Sequence, residues 1–230
     1  MVNLHIVLTL TEENYIKAIY TLQQRNGAGE VSVNEIADRM NTRPATVTDM
    51  LRKLSDKELI HYEKYRKVQL TEEGRTEALQ ILRKHRLWET FLHDVLRFSW
   101  DEVHEVAEQL EHIHSAKLID RLDELLGTPE FDPHGDPIPN SRGELPPLAT
   151  LTLHDAPLNQ WVRIMAVKDT SSPFLQQLER FRLRIGAVVC INERLMYDNS
   201  LFIKLKEDGV TFQVSNLIAE NILVQPANDQ

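Results

Sequence analysis

Two groups of side chains have the types and spacing for cation chemistry. His104, Glu108, Glu111 and His112 stand at i, i+4, i+7 and i+8. At about 100° per residue such positions share one helical face, and Val103, Val106, Leu110 and Ile113 take the opposite one. Upstream, His85 and Glu89 stand at i and i+4, again on one face. Carboxylate oxygens with imidazole nitrogens suit Mn2+, Fe2+ or Zn2+; with no thiol in either group, a soft-metal site is disfavoured. The competing reading is a solvated acidic helix face, and spacing alone leaves both open. Enzymatic readings find less support. The run His104-Glu105-Val106-Ala107-Glu108 resembles a zinc-protease helix but has Glu where the second His belongs, and no Gly-rich phosphate loop or G-x-S-x-G turn is present. A metallohydrolase is the alternative from another class, with hydrolytic turnover as its mark.

A third group has the chemistry for nucleic acid. Between Asn41 and Lys57, the outward positions of a helix offer Thr42, Arg43, Pro44, Thr46, Thr48, Asp49, Arg52 and Lys53. Small hydroxyl residues approach base edges while Arg and Lys reach phosphates. Lys64, Arg66 and Lys67 fall at the tip of an expected hairpin, where a wing touches the DNA backbone. The alternatives are a solvated polar face or a winged helix serving as a protein–protein module.

The net charge of −9 looks unfavourable for DNA, but it is unevenly spread. Residues 42–67 hold 7 basic and 4 acidic side chains, a local +3 of the kind phosphate contact needs. Residues 76–143 hold 7 basic and 14 acidic side chains and six of the nine histidines, so the acidic middle is where cations are expected.

The elements that must position these groups follow from periodicity. A helix over 12–25 is expected from Tyr15, Ile16, Ile19, Tyr20 and Leu22, with Thr11 as its cap. Ser32 opens a short helix with Glu35 at the capping-box spacing. A third helix runs from about Pro44 to Lys57, with Val47, Met50, Leu51 and Leu54 facing inward, and LIHYEKY and KVQLT form a two-stranded hairpin. Three helices and a hairpin make a winged helix-turn-helix. Long helices are expected over about 72–96 and 101–126, with more apolar surface than two helices can bury; a symmetric homodimer is the simple remedy. Six prolines between 127 and 148 read as a linker. Beyond them WVRIMAV, AVVCIN, LFIKL, TFQVS and ILVQ read as short strands of a small β-barrel, with a turn or two of helix between Phe174 and Phe181. The fold class is mainly α with a β-rich C-terminal part. The lone Cys190 favours a reducing, cytoplasmic setting, and no apolar run approaches the ~18 residues of a membrane span.

ENYIKAIY (13–20), RPATVTDMLRKL (43–54), LTEEGR (70–75), RKHRLWE (83–89), VHEVAEQLEHIHS (103–115) and DPHGDPIP (132–139) resemble, in order, the diphtheria toxin repressor family of metal-dependent regulators, particularly its manganese-responsive branch. The resemblance implies a winged helix-turn-helix domain (1–75), a helical metal-binding and dimerisation domain (76–143), a linker (144–152) and an SH3-like domain (153–230), to which LRIG (183–186) is similar. It implies a non-enzymatic repressor of manganese or iron homeostasis genes, in which metal orders a homodimer for a double-stranded DNA operator. The implied cofactor is Mn2+, with Fe2+ as the alternative and Zn2+ substituting in vitro. The primary metal site maps onto Asn14, Glu108, Glu111 and His112. The ancillary site maps onto His85, Glu89 and His104, with Asp132, His134 and Asp169 as further ligands. Glu108 stands where the iron-responsive branch has Cys, a change towards Mn2+. Asn14 stands where Met or Asp is usual, with Glu12 and Glu13 beside it as possible compensation, and Lys17 stands where the manganese branch often has Glu; both changes lower the negative charge available for a second metal beside the first.

Overall fold

A computed structural model describes residues 8–27, 29–63 and 67–227. Two compact units emerge, one formed by residues 1–85, 109–115 and 139–144, the other by 86–108, 116–138 and 145–230.

In the first unit, α1 (Leu10–Arg25) starts one turn-step earlier than its apolar periodicity suggests, and its cap is Thr9, not Thr11. The reason is a capping box: Glu12 N–H donates to Thr9 Oγ1 at 3.3 Å and Thr9 N–H donates to Glu12 Oε2 at 2.8 Å. The same device opens α2 (Val33–Arg39) at Ser32 and Glu35, as expected from spacing. In α3 (Pro44–Asp56) the proline occupies the first turn, where its missing N–H costs nothing. Ile16, Ile19, Ile36, Val47, Leu51, Leu54 and Leu59 close a common core under the three helices; Met50 packs on it only in part. The wing pairs β1 (Ile60–His61) with β2 (Gln69–Leu70) antiparallel, Ile60 opposite Leu70, and a bridge from Val31 to Val68 ties it to the rest of the unit. Lys64 and Arg66 lie outside the described residues. α4 (Glu72–Asp94) follows, near its expected bounds.

The helix expected over 101–126 is two: α5 (Val103–Leu110) and α6 (Ala116–Leu125). The interruption, Glu111 to Ser115, is poor in strong helix formers, and its first residue is drawn into burial by partners distant in sequence.

The second unit contains an antiparallel six-stranded sheet of β3 (Leu151–Thr152), β4 (Trp161–Val167), β5 (Val188–Arg194), β6 (Leu201–Leu205), β7 (Thr211–Val214) and β8 (Ile222–Pro226). The order is β3-β8-β4-β5-β6-β7, an SH3-like arrangement in which the C-terminal strand inserts beside β4. α7 (Ser172–Arg180) covers its core through Leu175 and Leu178, and α8 (Asn216–Glu220) precedes β8. The proline-rich stretch read as a linker is in part packed: Asp132, His134 and Ile138 are buried. Asp132 Oδ1 accepts from the N–H groups of His134 (2.8 Å) and Asp136 (3.0 Å), a local turn. Val167 N–H donates to His134 O at 3.0 Å, pinning this turn to β4.

That close approach depends on Gly135. Its φ is +84°, and a Cβ there would meet Met165 O at 2.0 Å and Ala166 Cα at 2.5 Å. Gly127 has a similar φ of +75° with nothing within 4 Å. Gly135→Ala is therefore expected to cost more than about 2 kcal/mol in a urea unfolding experiment, and Gly127→Ala only about 1 kcal/mol. Equal costs would mean that the turn does not press on β4.

Candidate metal centre and nucleic-acid interface

In the first unit, α1, α4 and the 111–115 turn bring acidic and basic side chains together. Glu13, from α1, is 4% exposed. His112 Nδ1 lies 2.5 Å from Glu13 Oε2, and His114 Nδ1 lies 3.9 Å from its other oxygen. Glu111 has no solvent exposure; His85 Nδ1 from α4 lies 2.6 Å from its Oε2, and His112 Nε2 lies 3.9 Å from its Oε1. Lys17 Nζ, one turn beyond Glu13 on α1, donates to both Glu111 oxygens at 2.6 and 2.7 Å. Lys84 Nζ lies 3.7 Å from Glu13 Oε1. Burial would raise the Glu111 carboxyl, but the hydrogen bond and charge of His85, together with the Lys17 ammonium, hold it below its ordinary range. Asn14 is half-buried beside Glu13 on α1.

The sequence signals divide unevenly here. Glu111 and His112 were read as continuing the helical face of His104 and Glu108, yet both lie beyond the end of α5. His85 keeps the expected company of Glu89 and His104, one potential ligand atom of each lying within 4.8 Å of the others, and it also touches Glu111. Glu13, expected at most to compensate for Asn14, is itself in contact with His112, and Lys84 joins it with no signal in the residue spacing. The i, i+4 pair Glu13 and Lys17 on one face of α1 was the available signal.

In the second unit, Glu89, Asp132 and His134 are all buried and place one potential ligand atom each within 4.8 Å of one another. His134 Nδ1 lies 3.8 Å from Glu89 Oε2 and 4.0 Å from Asp132 Oδ1. Its Nε2 lies 2.6 Å from Trp100 O. A carbonyl only accepts, so Nε2 carries a proton and Nδ1 is the atom turned towards the carboxylates, the orientation seen for metal-ligating imidazoles. His104 Nδ1 lies 3.1 Å from Glu89 Oε1 and its Nε2 3.4 Å from Glu108 Oε1. Hydrogen bonds donated by His104 to Glu108 and Glu89 push it up to about 9. For His134, burial opposes the charge, but Glu89 and Asp132 outweigh it and push it up to about 9. Burial, with Asp136 and Glu89 nearby, pushes Asp132 well above the usual carboxylate range. Asp169 follows β4 and is half-buried; its Oδ1 accepts from Ser171 N–H at 2.8 Å.

Ligands about 2.1 Å from an octahedral ion lie about 3 Å apart. Both donor sets pair carboxylate with imidazole at 2.5–4.0 Å separations, a chemistry that suits a divalent cation once each imidazole gives up the proton on its ligating nitrogen.

On α3, Arg43, Pro44, Thr46, Asp49, Arg52 and Lys53 are exposed, and Thr42 and Thr48 are half-buried. Thr48 Oγ1 donates to Pro44 O at 3.0 Å. Arg52 Nη1 lies 3.3 Å from Asp49 Oδ1, an exposed pair of small energetic weight that leaves the guanidinium available to a phosphate. Lys67, on the wing, is exposed.

Comparison with known proteins gives a consistent picture. Residues 7–68 match the family described as "Iron dependent repressor, N-terminal DNA binding domain", residues 71–140 "Iron dependent repressor, metal binding and dimerisation domain", and residues 151–226 "FeoA domain". The chain is 36% identical over 129 residues to the iron-dependent repressor IdeR of Mycobacterium bovis, covering 56% of this chain and 55% of that protein; it thus spans about half the length of that relative. It is 36% identical over 118 residues to the HTH-type transcriptional regulator MntR of Geobacillus kaustophilus, covering 51% of this chain and 82% of that one. A solved manganese-dependent transcriptional repressor in complex with manganese superposes with a TM-score of 0.83 at 31% identity, over 94% of this chain and 100% of that one. Among the described residues, no helix is long and apolar enough to cross a membrane.

His134 gives a pH test. Its value in the folded chain, about 9, lies above the ordinary 6.5. The protonated imidazolium therefore stabilises the chelator-treated protein fully below pH ~6.5, and that contribution is lost as the pH rises through about 9. Unfolding titrations in chelator are expected to show falling stability across this window, with a smaller fall in His134→Gln, where only His104, likewise raised to about 9, still contributes. A profile identical in both proteins would remove the imidazolium from the buried cluster.

Proposed function

Because the chain belongs to the diphtheria toxin repressor family of iron- and manganese-dependent regulators, we propose that it is a transcriptional repressor whose DNA binding is switched on by a divalent metal. The first metal set is built on Glu13, Glu111 and His112, to which the resemblance adds Asn14 and Glu108. The second is built on Glu89, Asp132 and His134, with His104 beside Glu89, and the resemblance adds His85 and Asp169. When bound, the ion supplies a charge and a fixed geometry that hold separate elements together. Oxygen and nitrogen donors, with the single cysteine buried in β5, favour Mn2+ as the physiological ion; Fe2+ is compatible, and Zn2+ substitutes in vitro. Residues 1–75 are the DNA-binding domain, 76–143 the metal-binding and dimerisation domain, and 153–230 the SH3-like domain after a 144–152 linker.

The observation that carries this reading is the position of α1. It delivers Glu13 to within 2.5 Å of His112, and it shares one core with α3. Its first turn is also tied to the end of α3, since Lys57 Nζ lies 2.9 Å from Glu12 Oε1. An ion that fixes α1 thereby fixes the recognition helix, so metal and DNA affinities rise together. A homodimer places two such helices on successive major grooves; Leu118 and Leu125 on α6, 40% and 67% exposed, are apolar surface suited to that association.

Operator binding measured with the chain's own upstream DNA is expected to rise about 5–150-fold between chelator and added Mn2+. Equal binding in both would leave a winged-helix regulator without a metal switch. In the Mn2+-loaded protein, Arg52→Ala and Lys53→Ala should each weaken binding to all sequences and lower the log–log salt slope by about 1. An unchanged slope would take that residue off the phosphate-contacting face.

A further inference from the structure

We propose that Lys17 is a resident cation of the first donor set: its ammonium neutralises Glu111 in the metal-free chain, must yield at least one carboxylate oxygen to an incoming divalent ion, and so sets the metal threshold and limits the set to one ion. The inference rests on the metal-dependent reading above and specifies how that site is tuned.

The geometry is that of an occupied cation position. Lys17 Nζ sits 2.6 and 2.7 Å from the two oxygens of Glu111, with the side chains 12% and 0% exposed. Solvent screening is weak there, unlike at a surface ion pair. The second carboxylate is balanced in the same way, Lys84 Nζ lying 3.7 Å from Glu13 Oε1 with 13% exposure. Two buried carboxylates thus face two nearly buried ammonium groups. An acidic set without such partners is driven to bind metal by its own repulsion. Here the carboxylates already have cationic partners, His85 on Glu111 as well as the two ammonium groups, and metal uptake becomes an exchange of one cation for another.

Two consequences follow. Metal affinity is lower than the donor atoms alone would give, because the ion must outcompete a tethered ammonium. Lys17 is also on α1, while Glu111 belongs to the turn after α5, so the ion pair makes in the metal-free chain part of the connection that the metal makes in the loaded one. A second ion beside the first would meet the Lys17 charge where a further carboxylate ligand is needed.

The test is Mn2+ binding by the full-length protein, measured by competition with a fluorescent chelator, in Lys17→Met, Lys17→Gln and Lys17→Arg. A neighbouring charge within ~4–6 Å shifts an ionic equilibrium by about 1–3 log units. Lys17→Met and Lys17→Gln are therefore expected to bind Mn2+ at least about tenfold more tightly, while Lys17→Arg stays within about twofold of the parent. Damage to packing would weaken binding, so a gain separates competition from a structural role; the neutral Gln variant serves where Met fails to fold. Lys17→Glu should raise the Mn2+ content by one ion per chain. Unchanged affinity in the folded neutral variants would overturn the resident-cation role, and unchanged stoichiometry in Lys17→Glu would overturn the one-ion limit. Those results leave the metal-dependent reading standing. A parent protein that binds no Mn2+ would overturn that reading and this inference with it.

Discussion

Glu111 is a carboxylate with no access to water, and much of the surrounding architecture answers to it. An ionised carboxylate alone in such a place would cost several kcal/mol. The cost is met by ligation from two sides: an imidazole from α4 and an ammonium from α1. Both partners come from upstream in the sequence, Lys17 being 94 residues away. The chain satisfies this by ending α5 at Leu110 and spending Glu111 to Ser115 in an irregular turn. A straight helix would have kept Glu111 in line with His104 and Glu108. The interruption is therefore the local expression of a long-range electrostatic requirement.

That requirement also explains what could and could not be read from residue order. Features governed by near neighbours were legible. The Ser32–Glu35 box, the proline start of α3 and the extent of β4 and β6 all depend on side chains within a few positions. The cap of α1 went to Thr9 because Glu12 reaches back three residues, a local signal that the apolar pattern obscured. The division into α5 and α6 was hidden, since Val103, Val106, Leu110, Ile113, Leu118 and Leu122 keep an apolar rhythm through the turn. Nothing within that stretch registers Lys17. The groupings of His85 with Glu89 and His104, and of Glu89 with Asp132 and His134, are met in the structure; the additional contacts of His85 with Glu111 and of Glu13 with His112 are not legible from spacing. The short β3 and α8 carry too few residues for any periodicity to appear.

The net charge of −9 and a DNA-facing surface are reconciled by where the acids sit. The exposed side of α3 and its N-cap carries Arg43, Arg52 and Lys53 against two acids, Asp49 and Asp56. In the donor sets Glu13, Glu89, Glu111 and Asp132 are buried, so they project little field into solvent. Formal charge thus overstates the repulsion that an approaching phosphate backbone would meet.

The turn carrying Asp132 and His134 is folded onto β4 through Gly135, which admits no side chain, and through the His134 O to Val167 N–H bond. Trp100, whose carbonyl accepts the hydrogen bond from His134 Nε2–H, itself belongs to the core beneath the sheet. The imidazole is thus aimed by the β-rich part of the chain, although the residue precedes that part in sequence. In evolutionary terms the two are heritable only as a unit: a lineage that discarded the sheet would keep the letters of the His134 motif while losing the scaffold that gives them a direction, and those letters would then be free to drift.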